Sequence, residues 1–139
     1  MIEWDSAWDT GIDIVDSEHK TLVELLRRIQ NEDPKYLRAS LLSLSSEVTN
    51  HATMHFMHEE RLSAVLLSPE QSQAHSNDHR RWKQLLLREN AALQLKLASP
   101  LSEKELQDIA QEYVAAIFDF FATHWENHDC KICPSKDCM

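Results

Sequence analysis

A single glycine, Gly11, stands in 139 residues, and four prolines are the only other strong chain breakers. So few residues able to take left-handed backbone leave little room for the tight hairpins of a β-rich fold. No apolar run approaches the roughly 20 residues that a membrane span requires. The opening Met1-Ile2-Glu3-Trp4-Asp5 is acidic and polar, unlike a signal peptide. Basic residues are outnumbered, with 14 Lys and Arg against 23 Asp and Glu, a formal charge of −9. They are also scattered, whereas neutralising phosphates needs a clustered positive face, so no nucleic-acid partner is expected. Cysteine is confined to Cys130, Cys133 and Cys138, and an odd number crowded at one end is not a disulfide framework. The simplest expectation is a cytoplasmic protein with no membrane partner.

What the chain has in quantity is Leu, Ala, Glu, Gln, Lys and Arg, all good helix formers. Its length suits one domain with a real hydrophobic core. Hydrophobic spacing predicts a first helix from Asp16 to Asn31, with Val15, His19, Leu22, Leu26 and Ile29 on one stripe. Asp33-Pro34 reads as a cap and first position for a second helix carrying Leu37, Leu41, Leu44, Val48, His55, Glu59, Leu62 and Leu66 inward. Ser68-Pro69-Glu70-Gln71 restarts the chain with a capping box, opening a third helix with His75, His79, Trp82, Leu86, Leu93 and Leu97 inward. After Ser99-Pro100, a second capping box, Ser102-x-x-Glu105, opens a fourth helix lined by Leu106, Ala110, Tyr113, Ile117, Phe121 and His124. Short connections force antiparallel neighbours, so the expected fold is all-α, an up-down-up-down four-helix bundle with an N-terminal arm. Trp4 and Trp8 are expected to fold that arm over the bundle. Residues 1–129 read as one domain and 130–139 as a cysteine-containing tail.

The inward stripes contain groups that are costly to bury alone: His19, His55, Glu59, His75, His79 and His124. His55/Glu59 and His75/His79 are spaced four apart, on one helix face each. Counting outward from the second turn, both pairs lie about ten residues away and face each other. From the third turn, His75/His79 and His124 are level within one helical turn. His19 fits less well, about 9 Å off at 1.5 Å per residue, unless the segment around Asn31–Lys35 is partly extended. A lone helical histidine is more often a satisfied boundary residue than a ligand. Convergence of these independent placements on one level of one bundle favours a metal site.

Imidazoles and carboxylates without thiolate suit iron, zinc, copper or nickel better than calcium or magnesium. Two octahedral ions would be filled to all but one position by five imidazoles, two bridging carboxylates and a bridging hydroxide. Glu59 supplies one bridge, and Asp129, just past the fourth helix, is the candidate for the other. The open position is where a small ligand could bind.

These residues resemble the hemerythrin family, specifically its bacterial members, across nearly the whole chain. The matching pieces are Trp4, Gly11-Ile12, Val15-Asp16-x-x-His19, His55-Phe56-x-x-Glu59-Glu60, His75-x-x-x-His79 and His124-x-x-x-x-Asp129. The resemblance implies a pair of iron ions bridged by hydroxide or oxide that binds dioxygen reversibly, for storage or delivery, without acting as an enzyme. His75, His79 and His124 would hold the filled iron, His19 and His55 the open one, with Glu59 and Asp129 between them. Phe56, Phe120 and Phe121 would line the oxygen pocket. The sequence departs from the family pattern at Phe120-Phe121, where Trp-Leu is common, and at Trp125, where a small aliphatic residue is usual. Glu18 stands where glutamine is usual, and His51 replaces a frequent tyrosine and is expected in the core or just behind a ligand. His58 and His128 read as boundary or surface residues.

Three readings of the tail stay open: free thiols, a Cys130–Cys133 redox pair next to Asp129, or a zinc site using the three cysteines and His128. The redox reading keeps alive an oxygen or redox sensor that signals through the fourth helix to a protein partner. Reduction of peroxide or nitric oxide at the same irons is a third function. Against an enzyme, the chain has no Glu-x-x-His pair of the kind that ferritin-like di-iron enzymes use.

Overall fold

The structure, a computed structural model, describes residues 2–127. A short 3-10 helix, Ser6–Trp8, precedes four α-helices: α1 Asp13–Gln30, α2 Leu37–Leu66, α3 Pro69–Leu97 and α4 Glu103–Asn127. α1 packs against α2 and α4, and α3 against the same two, which closes the expected four-helix bundle. Among the described residues no helix is long and apolar enough to cross a membrane.

Local chemistry explains where each helix begins. Ser68 accepts from the Gln71 backbone N–H while Gln71 returns a bond to the Ser68 backbone, with Pro69 in the first turn of α3. Ser102 and Glu105 repeat the exchange before α4, at 3.1 and 3.0 Å. Accepting from the Ser102 backbone N–H, and with the Ser102 hydroxyl beside it, the Glu105 carboxyl is held below its usual value. Two starts differ from the sequence reading. α1 begins three residues early, at Asp13, which puts Asp16 inside its first turn. The Asp16 carboxylate accepts from Thr10 N (2.8 Å), Thr10 Oγ1 (2.8 Å) and Gly11 N (3.2 Å), folding the arm back onto the helix. Gly11 sits at φ 83°, where a side chain would be strained, which accounts for the one glycine. α2 begins late, at Leu37, because Asp33 closes a turn rather than capping a helix: its Oδ1 accepts from Lys35 N at 2.9 Å and its carbonyl from Tyr36 N at 2.9 Å. That non-helical segment takes up the offset that had set His19 apart from His55.

The bundle has a dry end and a polar end. Around the α1–α2 and α3–α4 connections the interior is aliphatic, with Leu26, Ile29, Leu41, Leu44, Leu93 and Ala110 all buried. Arg38 ties this end together, its guanidinium donating to the carbonyls of Leu97 and Ser99 at the close of α3. Toward the α2–α3 turn the aliphatic stripe gives way to imidazoles. There the buried face of α2 drifts from expectation. Leu62 is only half-buried and Leu66 is 48% exposed, while Ser63 is buried and lies 3.4 Å from Ser72 of α3.

The arm covers the α1–α4 seam, as expected of Trp4 and Trp8. Their rings meet edge to face at 5.4 Å, and both pack on Trp125 of α4, at 5.4 and 5.2 Å. Trp4 Nε1 donates to Asp9, and Trp8 Nε1 reaches Glu126 at 3.4 Å.

Leu41 is fully buried at the dry end. Leu41→Ala should therefore lower the unfolding free energy by about 2–5 kcal/mol, read from urea denaturation of the metal-free protein. Tyr113 is buried 98%, its hydroxyl has no hydrogen-bond partner among the described residues, and burial followed by the nearby Glu89 charge raises its pKa far above the usual value. Because only the folded-state value is raised, stability is unaffected well below the unfolded tyrosine pKa of about 10 and falls as pH climbs past it. An alkaline absorbance titration should show Tyr113 ionising only on unfolding.

Candidate metal centre

Six of the seven ligands expected from sequence are brought together at one level of the bundle by all four helices. Asp129, His128 and the cysteine tail lie outside the described residues. His19 comes from α1, His55 and Glu59 from α2, His75 and His79 from α3, and His124 from α4. Each is at most 1% exposed.

The centre is organised by the two oxygens of Glu59. Its Oε1 faces His19 Nε2 at 3.2 Å and is in contact with His55 Nε2. Its Oε2 faces His75 Nε2 at 2.8 Å, His79 Nε2 at 3.6 Å and His124 Nε2 at 3.7 Å. The ligand atoms thus fall into two groups that share one carboxylate: His19, His55 and Glu59 on one side, Glu59, His75, His79 and His124 on the other.

Three further carboxylates decide how the imidazoles present themselves. His55 Nδ1 lies 3.1 Å from Glu18 Oε1, His79 Nδ1 lies 3.4 Å from Glu60 Oε1, and His124 Nδ1 is tightly bonded to Asp78 Oδ2. An ionised carboxylate only accepts, so the tautomer that satisfies all three carries the proton on Nδ1 and donates it, leaving Nε2 as a lone pair aimed inward. His79 Nε2 and His124 Nε2 then confront each other at 3.2 Å. Two lone pairs so close, beside a buried carboxylate, repel one another unless a cation lies between them. Burial pushes His79 below its usual pKa, with Glu59 opposing and His124 and His75 reinforcing the shift, so a neutral ligand imidazole is favoured. The donor set therefore fits metal ions, and its carboxylate–imidazole pairs are the usual way of orienting ligand histidines.

These three carboxylates went unrecognised as supports in the sequence. Each is adjacent in the chain to a ligand of its own helix yet serves a ligand on the next helix: Glu18 beside His19, Glu60 beside Glu59, Asp78 beside His79. That adjacency was the available signal. Glu18 also bonds His58 Nδ1 at 2.8 Å. Partial burial raises the Glu18 pKa, but the bonds and charges of His55 and then His58 outweigh this and hold it below the usual value. His58 is indeed a boundary residue, its side chain 32% exposed. His51, expected in the core or behind a ligand, is instead exposed, because it lies on the outer face of α2.

Aromatic rings wall the centre. Phe56 stacks on His79 at 4.3 Å, and Trp125 stacks on His19 at 4.5 Å. Phe121 lies face to face with Trp82 at 3.9 Å and is stacked with Trp125 at 5.5 Å. Phe120 is only half-buried and meets Trp82 edge-on at 4.5 Å, beside a groove of about 330 Å³ that Asp78, Arg81 and His124 also line.

Fold and site together define a metal-binding four-helix bundle. The family model of the hemerythrin HHE cation binding domain matches residues 10–132, and the chain belongs to that family. Among its relatives is a bacteriohemerythrin of Stenotrophomonas maltophilia (strain R551-3), 27% identical over 62 residues. The match spans 45% of this chain and 40% of that protein, less than half of the relative's length.

If Asp78 orients His124, Asp78→Ala should weaken metal affinity by about 10–100-fold, measured by competition with a coloured chelator. Unchanged affinity would show that the bundle alone fixes the imidazole.

Proposed function

We propose that the chain binds dioxygen reversibly at a non-haem di-iron centre, as a storage or delivery protein. The observation that carries this reading is the division of Glu59 between unequal groups, two imidazoles at one oxygen and three at the other. His75, His79 and His124 would hold one iron and His19 and His55 the other, with Glu59 bridging and Asp129 as the second bridge. The less-filled side is then where an exogenous ligand has room. The relative named bacteriohemerythrin and the family assignment are consistent with that choice of metal.

A pair of ferrous ions supplies electrons that dioxygen can take up and return. The chain supplies the surroundings. Glu18, Glu60 and Asp78 hold His55, His79 and His124 with their Nε2 atoms inward, so the centre need not reorganise between ligand-free and ligand-bound forms. Phe56, Trp82, Phe121 and Trp125, each at most 2% exposed, keep bulk water from the centre, which protects a bound ligand from protonation and loss.

The test is a visible spectrum of iron-loaded protein, reduced without air, then exposed to air, then purged. An oxygen-dependent band that fades on purging supports a carrier. Direct passage to a stable oxidised spectrum would overturn reversible binding and favour a redox sensor or reductase.

A further inference from the structure

The three imidazole-bearing carboxylates are not equivalent. Asp78 has the exposed Arg81 guanidinium 4.0 Å from Oδ1, and Glu60 accepts from Ser76 at 3.4 Å. Glu18 is held by a second imidazole among the described residues: Oε1 faces His55 and Oε2 faces His58, at 3.1 and 2.8 Å. His58 lies one turn beyond His55 on α2, so the carboxylate from α1 is pinned between two rings of the neighbouring helix.

His55 needs that support because two carboxylates compete for its one ring proton. With the proton on Nδ1 it donates to Glu18, and Nε2 is a lone pair available to a cation. With the proton on Nε2 it donates to Glu59 Oε1, a good hydrogen bond when no metal is present, and the metal position is blocked. A well-placed Glu18 tips the choice toward the metal-competent tautomer before any ion arrives. Glu18 is 23% exposed and sits on a flexible stem, so its placement depends on what holds the far oxygen. His58 does so at ordinary hydrogen-bond length.

We propose that His58, acting through Glu18, is a positioning residue for the two-imidazole metal position and sets how tightly the second ion is held. This rests on the two-ion reading of the site. It gives a role to a histidine that otherwise reads as an ordinary boundary residue, and it makes that role specific to one of the two positions. Neither Glu18 nor His58 borders the three-imidazole group, whose supports are Glu60 and Asp78.

Zinc tests this without redox chemistry. Metal-free protein and the variants His58→Ala, His58→Gln and Glu18→Ala would be titrated with zinc against a chelator. In parallel, the His55 ring nitrogens would be followed by NMR in the metal-free state. The parent should take two ions. His58→Ala should weaken one of them by about tenfold and leave the other unchanged, and Glu18→Ala should weaken the same ion by about 10–100-fold. His58→Gln, which keeps an N–H donor toward Glu18, should recover most of the loss. The His55 spectrum should move from Nδ1-protonated toward Nε2-protonated in both alanine variants. Unaltered zinc affinities with an unaltered His55 tautomer overturn the proposal while leaving the two-ion site standing. Equal weakening of both ions also overturns it, since that marks a general loss of packing. Uptake of a single zinc by the parent defeats the two-ion reading itself, and the proposal with it.

Discussion

Everything at the polar end of this bundle answers to one buried anion. Glu59 is wholly excluded from solvent in the middle of four helices, and a bare carboxylate there would be costly by several kcal/mol. His19 Nε2 and His75 Nε2 lie within hydrogen-bond reach of it, at 3.2 and 2.8 Å, but the other three imidazoles do not serve it in the same way. Where Glu18, Glu60 and Asp78 take the Nδ1 protons, the imidazoles turn lone pairs, not hydrogens, toward Glu59. Those supports also bring more negative charge close to the centre. Counting Glu59 with Glu18, Glu60 and Asp78 gives four carboxylates around five imidazoles. On the two-ion reading, two divalent cations would carry the matching positive charge, and one placed at each oxygen of Glu59 would also separate the opposed His79 and His124 nitrogens. The protein half of the site is thus arranged as a complement to charge it does not contain.

Such an arrangement has to be held against its own repulsion, and the rest of the fold does this. The aliphatic end, from Leu26 to Ala110, supplies the hydrophobic burial that offsets a polar core. The supports link neighbours in chain order: α1 grips a ligand of α2 through Glu18, α2 one of α3 through Glu60, and α3 one of α4 through Asp78. Sliding any helix along its neighbour by a single turn, about 5.4 Å, would break one of these links and a ligand contact together. The register of the bundle is therefore fixed by polar geometry at one end and by packing at the other. The N-terminal arm completes the enclosure, its Trp4 and Trp8 lying over Trp125, which itself stacks on His19.

Much of this was legible in the chain because helix periodicity is local. The spacing of Leu22, Leu26 and Ile29, or of Leu106, Ala110 and Tyr113, states which face is buried without reference to any other helix. The capping boxes at Ser68 and Ser102 are legible for the same reason. Five of the six described candidate ligands could be placed level because a turn-to-turn count converts sequence distance into height, and the same count left His19 about 9 Å off. Failures came where the deciding partner is remote in sequence. Asp16 looks like the start of a helix until Thr10 and Gly11 fold back on it. Ser63 is an unremarkable serine until Ser72 arrives opposite. Glu18 and Asp78 pass for surface acids, since the imidazoles they hold are 37 and 46 residues away. His51 failed differently: its position one turn before His55 suggested the inner face, but at that level Val48 and Ala52 hold the buried stripe and His51 falls beside it.

The aromatic wall bears on how a small ligand would meet the metals. A leucine over a ligand pocket can change rotamer and open a path, but Phe121 has little such freedom. One face lies on Trp82 at 3.9 Å and 23°, and Trp125 runs nearly parallel to it at 14°. Turning the ring would break both stacks, each worth roughly 0.5–1.5 kcal/mol beyond burial. Trp125 is in turn committed to His19, on the side of the centre with fewer imidazoles. Bulk at Phe121 and bulk at Trp125 are therefore coupled, so the two replacements act as one unit of three stacked rings. On the carrier reading, ligand passage depends on small motions of that stack as a whole. The same rigidity excludes water from the ligand side, so access and protection are set by the same three side chains.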